Sequence, residues 1–426
     1  MAKKKGKKGK KGKGKKGPEI LTTGRILLER ERAMCPRFGD AYARTERADI
    51  VKDEVAFYRI KKAVDKKLDC IDLAGCSYAF VPDSLSQVPS LSTTLVDLNL
   101  ARNQLFNSDS AFSVLKNLLN LKRLSLANNF LNGKLSEEAG FLRKLEEVDL
   151  DGNQLTALPE SCENWRELRV FSAGCNMIEE LPKGAGEWTK LEMCNVRQNG
   201  FKELPALIGK WTLMKRLCVG TNKLTAIPDE VGLMTGLVEL DVRKNELTEV
   251  PVSLGACKML EHLNLGDNKI TSIPDSLITE FGSLRELYLY RNKLENLPAD
   301  VGTLTKIEKL SLSKNNLKSL PEEMGELQNL TELYVNGNAK FNALPNSMGK
   351  LKLLRELALR ACPKLKSLPK SVEECEALKN LDMRTGGKKD VCKMPQEMAD
   401  ILAANKCRVT GAVVKKAKGK RGKKKK

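Results

Sequence analysis

The chain of 426 residues contains one histidine, His262. That scarcity excludes Ser-His-Asp and Cys-His catalysis everywhere except at His262, and excludes zinc sites built from several imidazoles. No run approaches about 18 consecutive apolar residues, so no membrane-spanning helix is predicted. The twelve cysteines are scattered, with no C-x-x-C pair and no disulfide-module density. The amino-terminal Lys/Gly run has no apolar core, so it does not read as a secretory leader. It also lacks the Lys-Ser/Thr ending and flanking strand of a phosphate-binding loop. Acidic residues occur singly, without a paired-carboxylate pattern. The sequence therefore reads as a non-enzyme with no cofactor and no metal, expected in a reducing, non-secretory compartment.

Charge is abundant but unevenly placed. Lys+Arg number 74 against 54 Asp+Glu, a formal net charge of +20. Residues 1–17 hold ten lysines and no acid, among them Lys3, Lys4, Lys5, Lys7, Lys8, Lys10 and Lys11. Residues 415–426 hold nine Lys/Arg and no acid, ending in Lys423, Lys424, Lys425 and Lys426. Without these two segments 55 basic and 54 acidic residues remain, so the body is nearly neutral. Segments this polar cannot bury enough apolar surface to fold, and both tails are expected to be disordered and to bind polyanions.

Between the tails one unit recurs. LVDLNLARNQL starts at Leu95, LEEVDLDGNQL at Leu145, LVELDVRKNEL at Leu237 and LRELYLYRNKL at Leu284. The invariant frame is L-x-x-L-x-L-x-x-N-x-L. Its asparagines include Asn103, Asn129, Asn153, Asn176, Asn245, Asn268 and Asn292, mostly 23 or 24 residues apart. Cys76, Cys362 and Gly386 stand in the Asn slot of degenerate units, giving about fourteen units over 68–395. Alternating leucines in L-x-L make a short strand with one buried face. A single unit cannot hide that face, so successive units must stack as parallel strands. The Asn side chain is expected to turn inward and satisfy backbone groups where the chain leaves the strand.

The second half of each unit carries an apolar residue followed by proline, as at Pro228, Pro251 and Pro298. Proline fixes φ and donates no hydrogen bond, which suits the start of a short helical turn. Trp165, Trp188 and Trp211 occupy one slot in consecutive units that elsewhere holds Leu, Met, Phe or Cys. The slot reads as core packing, with Cys257 and Cys375 as small apolar occupants.

This pattern resembles the leucine-rich repeats of the intracellular Ras-group class, which includes Shoc-two, the plant intracellular Ras-group proteins, and the repeat domains of Scribble and Erbin. The resemblance covers about three quarters of the chain. It implies an α/β solenoid, a leucine-rich-repeat horseshoe with a parallel concave sheet, and a role in binding another protein, with intracellular signalling as one setting. No PDZ-like region follows the repeats, and the basic tails do not follow from the repeat pattern.

Outside the repeats, residues 18–67 read as a helical amino-terminal cap. A helix is predicted from Thr45 with Ile50, Val51, Val55, Phe57, Tyr58, Val64 and Leu68 near helical spacing, preceded by a shorter piece around Ile20–Met34. Residues 396–414 read as a carboxy-terminal cap.

A protein partner is expected on the concave sheet. Candidate residues are Arg197, Arg216, Arg243 and Lys244 at mid-array, then Tyr288, Tyr290 and Tyr334 with His262, Glu286, Arg291 and Lys309 around them. Exposed Tyr beside Arg is the composition of an interface hot spot. Glu147, Asp149 and Asp151 form an acidic spot near the amino-terminal end. The leading expectation is a scaffold that binds protein on this face and is tethered by its tails. Two alternatives stay open: a ciliary or axonemal microtubule-associated component whose lysines meet the acidic tails of tubulin, and a nucleic-acid- or ribosome-associated protein. Acidic lipid is a third surface the tails would fit.

Electrostatic tethering releases counterions and is screened within about 8 Å at physiological salt. Deleting 1–17 and 415–426 should therefore abolish salt-sensitive co-sedimentation of the full-length chain with microtubules, RNA or anionic vesicles. Equal binding by the shortened chain would contradict the assignment.

Overall fold

The computed structural model describes residues 52–384 and 392–415. The helical piece Ile20–Met34, the residues before Lys52, Gly386 and the lysines of both tails beyond Lys415 lie outside them. Within these bounds one parallel sheet runs the length of the array. Its fifteen strands follow chain order from Cys70–Asp72 to Arg408–Thr410, with neighbouring strands in register. Each strand has three residues, and in all but the last, where Val409 is half-buried, the central residue is buried: Leu240, Leu263, Leu287 and Leu310 are at most 3% exposed. The flanking strand residues face away from the core, as period-two alternation requires.

The segment after most repeat prolines is a five-residue 3-10 helix, as in Asp229–Leu233 and Val252–Ala256, with Pro228 and Pro251 at the N-cap position, while Pro274 opens the short α-helix Asp275–Ile278. The proline carbonyl accepts the first turn's hydrogen bond, Val231 to Pro228 at 3.1 Å. The unit between Asn103 and Asn129, longer than the 23 or 24 residues usual here, has room for the α-helix Ser108–Leu115 instead.

Two side-chain ladders bind one coil to the next. Asn245 accepts the Leu224 N–H at 3.0 Å and donates to the carbonyls of Val219 (3.1 Å) and Val242 (2.9 Å). Asn268 repeats the set with Leu247, Val242 and Leu265. Cys362, in the same slot, donates its thiol to the corresponding Val335 carbonyl at 3.4 Å. On the opposite side, Trp165, Trp188 and Trp211 stack with centroids 5.9 and 6.2 Å apart. Their indoles donate to the carbonyls of Ala139, Cys162 and Ala185. Cys257 and Cys375 donate from that slot to Val231 and Met348. The slot thus selects an apolar body, and where a donor is present it meets a carbonyl of the preceding coil.

The turn that delivers each asparagine inward needs a left-handed backbone. The preceding residue has positive φ in successive coils: Thr221 at 60°, Lys244 at 53° and Arg291 at 55°. Non-glycine residues adopt this region at a cost of about 1 kcal/mol, tolerated here because the ladder closes behind them.

At the amino-terminal end, the helix Lys52–Asp65 packs on the first strand. Ile60 and Ala63 form its buried stripe, and Arg59 donates to the Asp72 carbonyl at 2.7 Å. Phe57 and Tyr58 do not join that stripe: they are 63% and 53% exposed. Helical periodicity explains the difference, since Tyr58 lies opposite Ile60 and Phe57 lies a turn earlier. At the other end, residues 396–414 hold more than a helix. Gln396–Ala404 is helical, Arg408–Thr410 adds the fifteenth strand beside Asn380–Asp382, and Ala412–Lys415 pairs with Cys392–Pro395. Lys415, placed with the tail by composition, ends that last strand.

Asn245→Ala or Asn268→Ala should each destabilise the protein by roughly 1–3 kcal/mol, because buried backbone groups in two coils lose their partners. Thermal melting of both variants checks this, and an unchanged transition would remove the ladder from its structural role.

Candidate functional site

The exposed sheet face is organised in rows set by the strand register. The first residue of each strand makes one row: Arg216, Glu239, His262, Glu286, Lys309 and Glu332 are cross-strand neighbours in that order. Acidic and basic side chains alternate along it. Arg216 Nε lies 3.8 Å from Glu239, His262 Nδ1 3.3 Å from Glu286, and Lys309 Nζ 3.3 Å from Glu286 and 3.9 Å from Glu332. Directly opposed unlike charges are the favourable arrangement for adjacent strands.

The third residue of each strand makes the next row, with Asp241, Asn264, Tyr288, Ser311 and Tyr334 side by side. Tyr288 and Tyr334 are separated by Ser311. Their hydroxyls do not project freely: Tyr288 donates to Glu286 and Tyr334 to Glu332, both at 2.9 Å. Burial, followed by the neighbouring carboxylate, pushes both phenols above their ordinary range. They stay neutral donors, with one ring face half-buried.

Glu286 is the hub. The His262 hydrogen bond, opposed by partial burial and reinforced by Tyr288 and Lys309, holds its carboxyl down to about 2. Its two oxygens serve three side chains from three strands, so its position is fixed before any partner arrives.

Two residues beyond each strand lies a further row. Tyr290 reaches back to hydrogen-bond Arg243, and burial raises its phenol. Arg243 Nε also lies 3.4 Å from Asp241. Arg197 occupies the same row two coils before Arg243 and is half-buried. Lys244 and Arg291 do not belong to the strands: both sit at the left-handed turn, exposed at the sheet's edge, with Arg291 3.4 Å from Asp267. Their number in the repeat placed them near the tyrosines, but the turn carries them past the strand's end.

The acidic spot is largely occupied with its own fold. Asp151 accepts from Ser172 Oγ at 2.7 Å, from the Gly174 N–H at 2.5 Å and from Asn195 at 3.3 Å. Glu239, Glu332 and Gly266 belong to the site and were not among the residues read from the sequence, which held four of the six in the first row: Arg216, His262, Glu286 and Lys309. Reading that position in every unit, rather than in four of them, would have exposed the alternation of acid and base.

Among the described residues no cluster of His, Cys, Asp and Glu is placed to hold a metal ion. Burial pushes the Cys194 thiol up to about 12 and those of Cys257 and Cys375 up to about 11. No helix among the described residues is long and apolar enough to cross a membrane.

Known proteins match this architecture. The family described as a leucine-rich repeat region matches residues 252–397, and a single leucine-rich repeat matches 144–165. No curated protein sequence matches the chain. A leucine-rich-repeat protein of Leptospira interrogans is 27% identical, with TM-score 0.66, covering 82% of this chain and 97% of its own. An internalin of Listeria monocytogenes is 19% identical with TM-score 0.61, covering 83% and 93%. The plant peptide hormone receptor RGFR1, solved in complex with RGF2, is 20% identical with TM-score 0.60, covering 83% and 64%.

The depressed Glu286 carboxyl has a consequence with pH. A folded pKa below the unfolded value contributes stability that is fully present above the unfolded value of about 4.3 and is lost as pH falls towards about 2. Glu286→Gln should therefore lower the melting temperature most at pH 6, and the gap to wild type should close as pH falls from about 4 to about 2. A gap independent of pH would show that the carboxylate is not held by these partners.

The stacked units, the fifteen-stranded parallel sheet and both sequence matches give the chain the fold of a leucine-rich-repeat protein.

Proposed function

We propose that this chain is a non-enzymatic scaffold that binds a protein partner on the exposed face of its parallel sheet, with the Lys-rich termini tethering it to an anionic surface. The observation that supports the reading is the Tyr288, Tyr290 and Tyr334 cluster, held among Glu286, Glu332 and Arg243 by hydrogen bonds made inside the protein. Side chains ordered in advance lose little entropy on binding, and aromatic rings beside Arg carry much of the energy of protein interfaces. RGFR1 in complex with RGF2 shows that a receptor of this fold engages another molecule. In this chain the partner class is protein, because the face offers aromatic area and mixed charge.

Tyr288→Ala with Tyr334→Ala should weaken the main partner by about 2 kcal/mol or more, roughly 30-fold. Tyr288→Phe with Tyr334→Phe should keep most of the affinity, because the rings remain. Affinity purification followed by titration of the recovered partner checks both. An interactome identical to wild type for the alanine variant would remove the tyrosines from the interface.

A further inference from the structure

Two lanes of opposite sign flank the sheet face, one at the strands' first position and one at and before the left-handed turn beyond their last. At the strands' first position, from the strand Glu239–Asp241 to the strand Glu356–Ala358, stand Glu239, Glu286, Glu332 and Glu356 against Lys309 alone, with His262. Beyond the strands' last position, over the same six coils, stand Arg243, Lys244, Arg291, Lys314 and Arg360 against Asp267 alone. The tyrosine row lies between them.

One member of the basic lane, Arg243, belongs to a row built into the repeat. The residue two beyond each strand alternates between glycine and a large side chain over six coils: Gly174, Arg197, Gly220, Arg243, Gly266 and Tyr290. Each large side chain lies across the glycine of the coil before. A Cβ at Gly174 or Gly220 would come 3.1 Å from Cγ of Arg197 or Arg243, and one at Gly266 would overlap the Tyr290 ring. The Tyr290 ring takes the space a side chain at Gly266 would need, while Gly174 and Gly220 leave tight room in which the arginine stems lie along the sheet.

The lanes are about four residues apart along the strand, roughly 13 Å. That exceeds the screening length of about 8 Å, so each lane presents its own sign. An α-helix with side chains is about 10–12 Å across, and six coils span about 24 Å, the length of roughly 16 helical residues. We infer that the sheet face takes an α-helix of a protein partner, laid across the strands, with lysines or arginines along one flank and carboxylates along the other. This rests on the reading of the face as a protein-binding surface and adds the shape and charge pattern of what it binds. A nucleic acid fits less well, because its continuous phosphates would lie beside the glutamate lane.

The test uses the full chain and a synthetic 21-residue helical peptide with glutamates along one flank and lysines along the other. Lys314→Glu with Arg360→Glu changes two exposed side chains and should leave melting unchanged. It should weaken the peptide at least tenfold, and a peptide with its glutamate flank changed to lysine should recover the loss. Binding of polyuridylate, which is directed to the tails, should not change. A scrambled peptide of the same composition binding equally well would overturn the proposal. So would an equal loss of polyuridylate binding in the variant, which would make the lane a general polyanion strip. If the Tyr288 and Tyr334 alanine variant loses its partner while the double glutamate variant does not, the protein-binding reading stands and the two-lane helix site falls.

Discussion

The asparagine ladder is the constraint on which the rest of the structure depends. A three-residue strand supplies too few hydrogen bonds to fix its own position, and its leucines specify burial without specifying direction. Asn245 and its equivalents supply both, since each amide ties a turn to carbonyls of two coils. Because the Asn must point inward, the residue before it is forced into the left-handed region, even where that residue is the β-branched Thr221. The tryptophan and cysteine donors on the other side repeat the solution with different chemistry. Register across the sheet is therefore set twice, by the Asn turns on one side and the indole or thiol slot on the other.

Fixed register turns a sequence repeat into a surface. Residues 23 or 24 apart become neighbours about 4.8 Å apart, so a one-residue choice in each unit writes a row across the sheet. The row from Arg216 to Glu332 alternates acid and base, and four contacts of 3.3–3.9 Å join its members. Pairs at half-exposed positions contribute little stability, about 0–1 kcal/mol each. Their effect is geometric: Glu286 holds Tyr288, and Glu332 holds Tyr334, so the rings are presented in one orientation.

The repeated features were legible in the sequence because each slot is sampled many times. Fourteen of the sheet's strands, the inward asparagines and the buried tryptophans all follow from the spacing alone. What was not legible depends on single positions. The fifteenth strand, Arg408–Thr410, shows only Val409 of the leucine frame and has no asparagine after it. Phe57 and Tyr58 look like core residues in a helix with an apolar pattern, yet only the contact with the first coil decides which side is covered. Arg291 and Tyr290 are adjacent in sequence but separated by the turn, where one stays on the sheet and the other leaves it. The hydroxyl partners of the tyrosines required coordinates, since each lies two residues away on its own strand.

The most direct measurement of the central claim is side-chain oxidation footprinting of the full chain, alone and with its co-purified partner. The sheet-face account predicts protection of Tyr288, Tyr290 and Tyr334, while Met259 and Leu353, exposed outside the sheet, stay as reactive as in the free chain. Protection of Met259 and Leu353 with the three tyrosines unchanged would place the partner elsewhere and contradict the account.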